Sequence, residues 1–164
     1  MPKLEVPLPR VLERARQETL LRSRLLKDFG AYTASQLAEL SGSTAGNRSQ
    51  LAYQWKKHGR IFAVTHQRTP WYLGFQFDED GRPLPVIAPV IEQLRTWPAW
   101  ELAAWFVKEN GMLDRRRPVD LLTDEPDGVV AAAAYDAARL DPERRPTSDR
   151  PCRRPLLPIP RHLG

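Results

Sequence analysis

The sequence predicts a mainly α-helical fold with one small β-hairpin. Apolar residues recur at helical spacing in most stretches between residues 10 and 140, and glycine or proline separates these stretches. Two runs rich in β-branched and aromatic residues, IFAVTH and WYLGFQFD, differ from this pattern and predict two strands around residues 67–70. An apolar content of 41% supports a packed core, while sixteen prolines predict much irregular chain.

Composition divides the 164 residues into four regions. Residues 1–9 carry three prolines and are predicted to be an irregular arm. Residues 10–84 and residues 85–140 have the patterns of folded chain, and we expect them to form two regions with different tasks. Residues 141–164 contain six prolines and six arginines but few residues able to fill a core, so we expect a disordered tail there.

Charge, cysteine content and hydropathy narrow the classes of function. The net charge of +5 and the pI of about 9.7 suit a polyanionic partner. The single cysteine, Cys152, excludes a disulfide within the chain and an all-cysteine metal site. No stretch approaches the ~20 apolar residues that a membrane span needs, and the N-terminus lacks the apolar core of a signal peptide. We therefore expect a cytoplasmic protein that does not bind membranes.

Catalytic and metal-binding motifs are missing from the sequence. The histidines His58, His66 and His162 are scattered, and no metalloprotease, nucleophile-elbow or phosphate-loop pattern occurs. Residues 78–81 are acidic like a calcium loop, but they lack its length and its terminal glutamate. We therefore expect a protein that is not an enzyme and that binds no metal and no cofactor.

A long helix is predicted from Arg10 to Phe29, and Gly30 ends it. Its charged positions hold six basic residues against three acidic ones. Three interpretations of this charge stay open: a solvated face with intrahelical ion pairs, contact with phosphates, or packing in a dimer. The predicted apolar stripe of the helix comprises Leu12, Ala15, Thr19, Leu26 and Phe29.

Two short helices joined by a tight turn are predicted next. Thr33 and Gln36 have the spacing of a capping box, in which each side chain bonds the backbone N–H of the other residue. Gly42 ends this first short helix. The second is predicted over residues 47–58, and Gly59 ends it. This is the layout of a helix-turn-helix.

The second short helix has an apolar side and a polar side. On a helical wheel, Leu51, Ala52 and Trp55 form the inward stripe. The opposite side carries amide, hydroxyl and ammonium groups, which can bond base edges and phosphates in the major groove of DNA. A helix-turn-helix places its second helix in that groove, and the N-terminal residues of this helix contact the base edges. The candidate DNA-binding residues of this helix are Asn47, Arg48, Ser49, Gln50, Tyr53, Lys56 and Lys57.

The predicted hairpin directly after this helix is a wing, which completes a winged helix-turn-helix. Arg68 lies at the turn of the hairpin, where it would meet the phosphate backbone or enter a minor groove. The expected partner is double-stranded DNA. Two alternatives stay open, because polar outer faces also occur on helices that bind no nucleic acid, and because a winged helix can bind RNA.

Helical spacing returns in residues 85–140. A first helix is predicted to begin near Ala88, and a second follows Pro98 and ends before Gly111. A last helix of about fifteen residues has acidic residues crowded at its N-terminus, where the helix dipole favours negative charge. Leu121 and Leu122 are predicted core residues of this region, and Trp97, Trp100 and Trp105 are predicted to lie in the core or in a dimer interface.

The order of these elements carries a specific resemblance. A helix with Trp105 and Phe106 is followed by NGMLDRRRPVDLL and then by TDEPDGVVAAAAYDAARL. In this arrangement the segment resembles the antitoxin Xre/MbcA/ParS-like toxin-binding domain family. The resemblance covers about 45 residues and depends most on the run from Arg117 to Leu122.

The resemblance implies a bacterial antitoxin that dimerises, represses its own operon and pairs with a RES-domain toxin that consumes NAD. Arg116, Arg117 and Asp120 are the candidate partner-binding residues. The wing and the long Arg/Pro-rich tail depart from the usual form of the family. We therefore expect a homodimeric, DNA-binding transcriptional repressor. The rival expectation is an interaction protein that neutralises a RES-type toxin and binds no DNA.

Overall fold

The computed structural model describes residues 9–42 and 48–140, and of residues 48 and 49 only the backbone. Within these ranges the protein is mainly helical with one small antiparallel sheet, as the sequence predicts. The α-helices and strands, in chain order, are α1 (Arg10–Phe29), β1 (Ala31–Tyr32), α2 (Ala34–Leu40), α3 (Arg48–Lys57), β2 (Val64–His66), β3 (Thr69–Leu73), α4 (Ile87–Gln93), α5 (Ala99–Val107) and α6 (Pro126–Leu140). Single 3₁₀ turns lie at Gly74–Gln76, Gly111–Leu113 and Pro118–Asp120.

The helix ends of the first half follow from local chemistry. α1 ends where Gly30 adopts a φ of 71°, a left-handed value that favours glycine. The predicted capping box at the start of α2 is confirmed: the Gln36 side chain accepts from the Thr33 N–H at 2.9 Å, and the Thr33 hydroxyl accepts from the Gln36 N–H at 3.3 Å. α3 ends before Gly59, whose φ is 67°.

The hairpin is present, but its strands are shorter than predicted. β2 and β3 pair in antiparallel fashion from Val64 opposite Trp71 to His66 opposite Thr69. The two residues of the turn, Gln67 and Arg68, both have positive φ values, 50° and 64°, as a two-residue type I′ turn requires.

The chain leaves the sheet at Gly74, where the predicted strand WYLGFQFD was expected to continue. A Cβ atom on Gly74 would lie 2.9 Å from the carbonyl oxygen of Phe29. The Gly74 N–H donates to the Gly30 carbonyl at 2.9 Å, so the end of α1 occupies the space that a longer strand would need. This contact also explains β1, a strand that the sequence analysis missed, which pairs with β3 and gives the order β1-β3-β2.

One hydrophobic core joins the predicted regions 10–84 and 85–140. Phe62 stacks on Phe106 of α5, with ring centroids 6.0 Å apart and planes 8° from parallel. Phe62 and Leu73 belong to the same buried cluster as residues of α4, α5 and α6. A second, smaller cluster lies under α2 and α3 and comprises Leu37, Ala52, Ile61, Tyr72 and Phe77.

The predicted stripe of α1 is wrong over the N-terminal half of the helix. Leu12 is 53% exposed, and Ala15 and Thr19 are exposed as well. Only the C-terminal end packs on the body, through Leu26 and the Phe29 ring, which meets Phe75 edge-on at 6.1 Å. The helix is longer than the surface that it covers, so helical spacing alone overestimates its burial.

In the second half, α5 is shorter than predicted, and two further details come from the structure alone. α5 ends at Val107 because Lys108 turns to extended backbone and Asn110 caps the next 3₁₀ turn, with its side chain accepting from the Met112 N–H at 2.9 Å. The Asp120 side chain accepts hydrogen bonds from the guanidinium group of Arg117. In the run of alanines from 131 to 134, two of the four residues are fully buried in the core. Trp105, Leu121 and Leu122 are buried as predicted.

We predict that Gln76→Leu strongly destabilises the fold. The Gln76 side chain is fully buried; it accepts from the Phe62 N–H at 2.8 Å and donates to the Phe62 carbonyl at 3.0 Å. Leucine would leave both backbone groups buried without a partner, at a cost of about 3 kcal/mol. Urea denaturation measures this loss, and exposed Gln17→Leu is the matched control. An unchanged free energy of unfolding would show that the bonds to Phe62 contribute nothing.

Candidate nucleic-acid interface

The packing of α3 fixes which of its sides faces solvent. Ala52 is 1% exposed, and Leu51 and Trp55 are half-buried, as the helical wheel predicts. The Trp55 ring lies 6.2 Å from that of Phe77, between centroids. These contacts hold the apolar side of α3 against the small cluster and leave the other side free.

The free side of α3 carries the polar residues that the sequence analysis singled out. Gln50, Lys56 and Lys57 are exposed, and Tyr53 is 58% exposed. Asn47 and the side chains of Arg48 and Ser49 lie outside the described part of the chain. The exposed residues present an amide, a phenol and two ammonium groups along one helix, which is the donor and acceptor set that major-groove recognition uses.

The hairpin is fixed to the body by contacts on its inner side. The indole N–H of Trp100 donates to the Thr65 carbonyl at 3.0 Å. His66 Nε2 lies 3.1 Å from the Ser23 hydroxyl of α1, and its ring meets the Trp100 ring edge-on at 6.2 Å. The guanidinium group of Arg22 lies over the Trp100 ring, 5.1 Å from the ring centroid. Arg68 remains exposed at the turn. The hairpin therefore holds Arg68 at a defined distance from α3.

Charge is distributed unevenly between the two halves of the chain. Residues 10–84 carry twelve Lys and Arg against seven Asp and Glu, whereas residues 85–140 carry six against nine. The first half therefore has a net charge of +5 and the second a net charge of −3. A surface that gathers positive charge in this way attracts a polyanion.

Ion pairs increase this difference in charge between the two halves of the chain. Within the described ranges, every arginine from Arg95 to Arg139 has a carboxylate within 4.0 Å. Between residues 56 and 82 the described chain shows the reverse, because none of its lysines and arginines has an ion-pair partner there. Unpaired cations keep their full charge for an incoming phosphate. The unpaired residues of this segment are Lys56, Lys57, Arg60, Arg68 and Arg82.

The candidate partner-binding residues, in contrast, are occupied within the chain. Arg116 donates to both carboxylate oxygens of Glu125, at 2.7 and 3.0 Å. This hydrogen bond raises the pKa of Arg116 and lowers the pKa of Glu125. Arg117 donates to both oxygens of Asp120, at 2.7 and 2.9 Å, which raises the pKa of Arg117. Arg117 also lies over the Phe29 ring, 5.7 Å from its centroid. A partner that binds these arginines has to compete with these carboxylates.

A polar network that the sequence analysis missed lies between α5 and α6. Asp136 is mostly buried and accepts from the Trp105 indole N–H at 2.8 Å and from the Asn110 amide at 2.9 Å. It borders an open cleft of about 740 Å³ that Trp97 and Arg139 also line. Asp136 is 31 positions from Trp105 and 26 positions from Asn110, so local sequence spacing cannot predict these bonds. The bond from Trp105 holds α6 onto α5, and the bond from Asn110 holds α6 onto the turn that follows α5, so the main task of Asp136 in this structure is packing.

No group of three metal-binding side chains occurs among the described residues. In the same part of the chain, no helix has both the length and the apolar character to cross a membrane. No protein-family model, curated protein or solved structure matches the chain. The resemblance to the antitoxin family therefore remains a prediction.

We predict that Glu125→Gln lowers the stability of the protein at neutral pH but not in acid. The pKa of Glu125 is below its ordinary value of 4.5 because Arg116 bonds its charged form. The stabilisation is therefore present above pH 4.5 and is lost as the pH falls through the lowered pKa. Urea midpoints at several pH values should differ between the variant and the starting protein at pH 7, and they should converge in acid.

The control for this measurement is Glu79→Gln, which removes the same charge from an exposed residue that has no ion-pair partner in the described chain. A Glu125→Gln curve that runs parallel to that of the starting protein at all pH values would contradict the prediction.

Proposed function

We propose that the protein is a sequence-specific, double-stranded-DNA-binding regulator of transcription, acting as a repressor in the bacterial cytoplasm. The observation that carries this proposal is the pairing of an exposed polar side on α3 with a run of cations, from Lys56 to Arg82, that no described carboxylate neutralises. Both the base-reading groups and the phosphate-binding groups are then present on neighbouring elements.

The order of elements supports a winged helix-turn-helix. α2 and α3 pack on one another through Leu37 and Ala52, and the β2–β3 hairpin follows α3 directly. In this arrangement α3 lies in the major groove, with Gln50 and Tyr53 toward the bases. Lys56 and Lys57 at the end of α3 bind phosphates, and Arg68 reaches the backbone or an adjacent minor groove from the wing.

Repression would be steric, since a bound dimer covers the operator. The homodimer and a role as the antitoxin of a RES-type toxin come from the resemblance of residues 97–140, and they are part of the proposal on that basis alone. In the toxin complex, Arg116, Arg117 and Asp120 would exchange their present ion pairs for contacts with the partner.

We predict that the double variant Lys56→Glu and Lys57→Glu loses duplex binding. Each lysine that neutralises a phosphate releases a counterion, so reversal of both charges should weaken binding by about 100-fold or more at low salt. Fluorescence anisotropy with a labelled random-sequence duplex measures the general affinity. A duplex selected from a random pool measures the specific one, and RNA of the same length is compared in parallel.

The control is Lys108→Glu, which changes an exposed lysine in the acidic half of the chain. It should bind the duplex like the starting protein. Preference for RNA in the same titration would favour the RNA-binding alternative. If the starting protein binds no duplex, the proposal is wrong and the rival, a toxin-neutralising interaction protein, takes its place.

A further inference from the structure

A cleft lies beside α3, and the contacts described so far assign no role to it. It lies between the C-terminal end of α2, the half-buried side of α3 and the turn that follows β3. Its volume is about 360 Å³, which is within the range of small-ligand sites. The residues that line it are Ser41, Leu51, Trp55, Arg60, Arg82 and Pro83.

Two arginines line this cleft, and neither has a counterion among the described residues. Arg60 and Arg82 are both exposed, and neither has an ion-pair or hydrogen-bond partner for its side chain within the described ranges. Among the residues that the structure describes, no carboxylate lines the cleft. Two like charges at one site repel each other, and an anion between them removes that repulsion.

Arg82 belongs to the acidic turn of residues 78–82, yet its own side chain forms no pair there. One carboxylate oxygen of Asp78 accepts from the backbone N–H groups of Asp80 and Arg82, each at 3.0 Å. Glu79 and Asp80 are exposed and lie outside the cleft lining. Asp78 therefore bonds the backbone of its own turn, and the Arg82 side chain has no carboxylate partner within the described ranges.

The backbone at both arginines is fixed. The Arg60 N–H donates to the Trp55 carbonyl at 2.9 Å, directly after the left-handed Gly59. The Arg82 carbonyl accepts from the Asp78 N–H at 2.8 Å. Next to Arg82, Gly81 is buried so closely against α2 that an added Cβ would lie 2.9 Å from Leu40 Cγ. Both arginines that line the cleft therefore extend from backbone positions that hydrogen bonds hold in place.

We infer that this cleft binds a phosphate group between Arg60 and Arg82. Guanidinium groups bond phosphate oxygens two at a time, and the half-buried Trp55 supplies one apolar wall. The phosphate has two candidate sources. One is the backbone of the duplex that α3 reads, and in this form the inference rests on the proposed function. The other is a free phosphate-bearing small molecule that acts as an effector.

Two measurements on the full-length protein distinguish these sources. The first is the salt dependence of duplex affinity for the starting protein, Arg60→Gln and Arg82→Gln. The second is a titration with inorganic phosphate at constant ionic strength, followed by the amide signals of Ser41, Trp55 and Gly81 in ¹H–¹⁵N spectra. Arg95→Gln, which removes an exposed arginine paired with Glu92, is the control.

If the source is DNA, each substitution weakens binding and lowers the slope of log affinity against log salt by about one unit. Arg60→Lys keeps the charge but not the two-point bond, so it should retain the slope and lose part of the affinity. If the source is a free ligand, inorganic phosphate shifts the three amide signals, and Arg60→Gln abolishes the shifts.

The inference is overturned if phosphate leaves the amide signals unmoved and the arginine variants keep both the duplex affinity and the salt slope of the starting protein. If the starting protein binds no duplex, the proposed function fails, and the phosphate titration alone then decides this inference.

Discussion

The rotation of α3 about its own axis is the constraint on which the interface depends. Ala52 is almost fully buried, and Leu51 and Trp55 flank it, so α3 can lie on the body in one orientation only. Rotation of α3 by half a turn about its axis would bury Tyr53 and Lys57 and expose Trp55. Burial of the Lys57 charge would cost several kcal/mol. The exposure of the polar side follows from what the apolar side buries.

The core transmits this constraint to the hairpin and to the second half of the chain. Phe62 stacks on Phe106, and Gln76 bonds both backbone groups of Phe62 from below β3. Trp100 then bonds Thr65 at the outer end of the hairpin. The proposed function requires a fixed separation between α3 and the hairpin, and these contacts provide it. The acidic second half therefore packs against the basic first half and holds the hairpin in place.

Local signals predicted most of the fold. The capping box at Thr33, the glycine after α1 and the glycine after α3 act within a few residues, so the sequence alone places those helix ends well. β1 was missed because a strand of two residues has no periodicity, and it forms only where Gly74 lets the end of α1 approach. The N-terminal half of α1 has apolar residues at helical spacing, but no described element covers it.

The part of the candidate site that depends on local signals could also be predicted from the sequence. The two sides of α3 follow from a helical wheel, and Arg68 follows from its place in the turn. Arg60 and Arg82 are 22 positions apart, and only the packing of the acidic turn against α2 brings them to one cleft. Pairing is equally invisible in the sequence, because the arginine run at 115–117 looks free and is fully paired.

Photo-cross-linking from position 53 tests the central claim, that the exposed side of α3 lies against the bases. In a Cys152→Ser background, a short photoreactive label is attached to a cysteine at position 53 or, as the control, at position 135, where Tyr135 is 50% exposed on α6. The account predicts cross-links to bases of a selected duplex from position 53 and almost none from position 135. Equal yields from both positions, or none from position 53 while the duplex is bound, would contradict it.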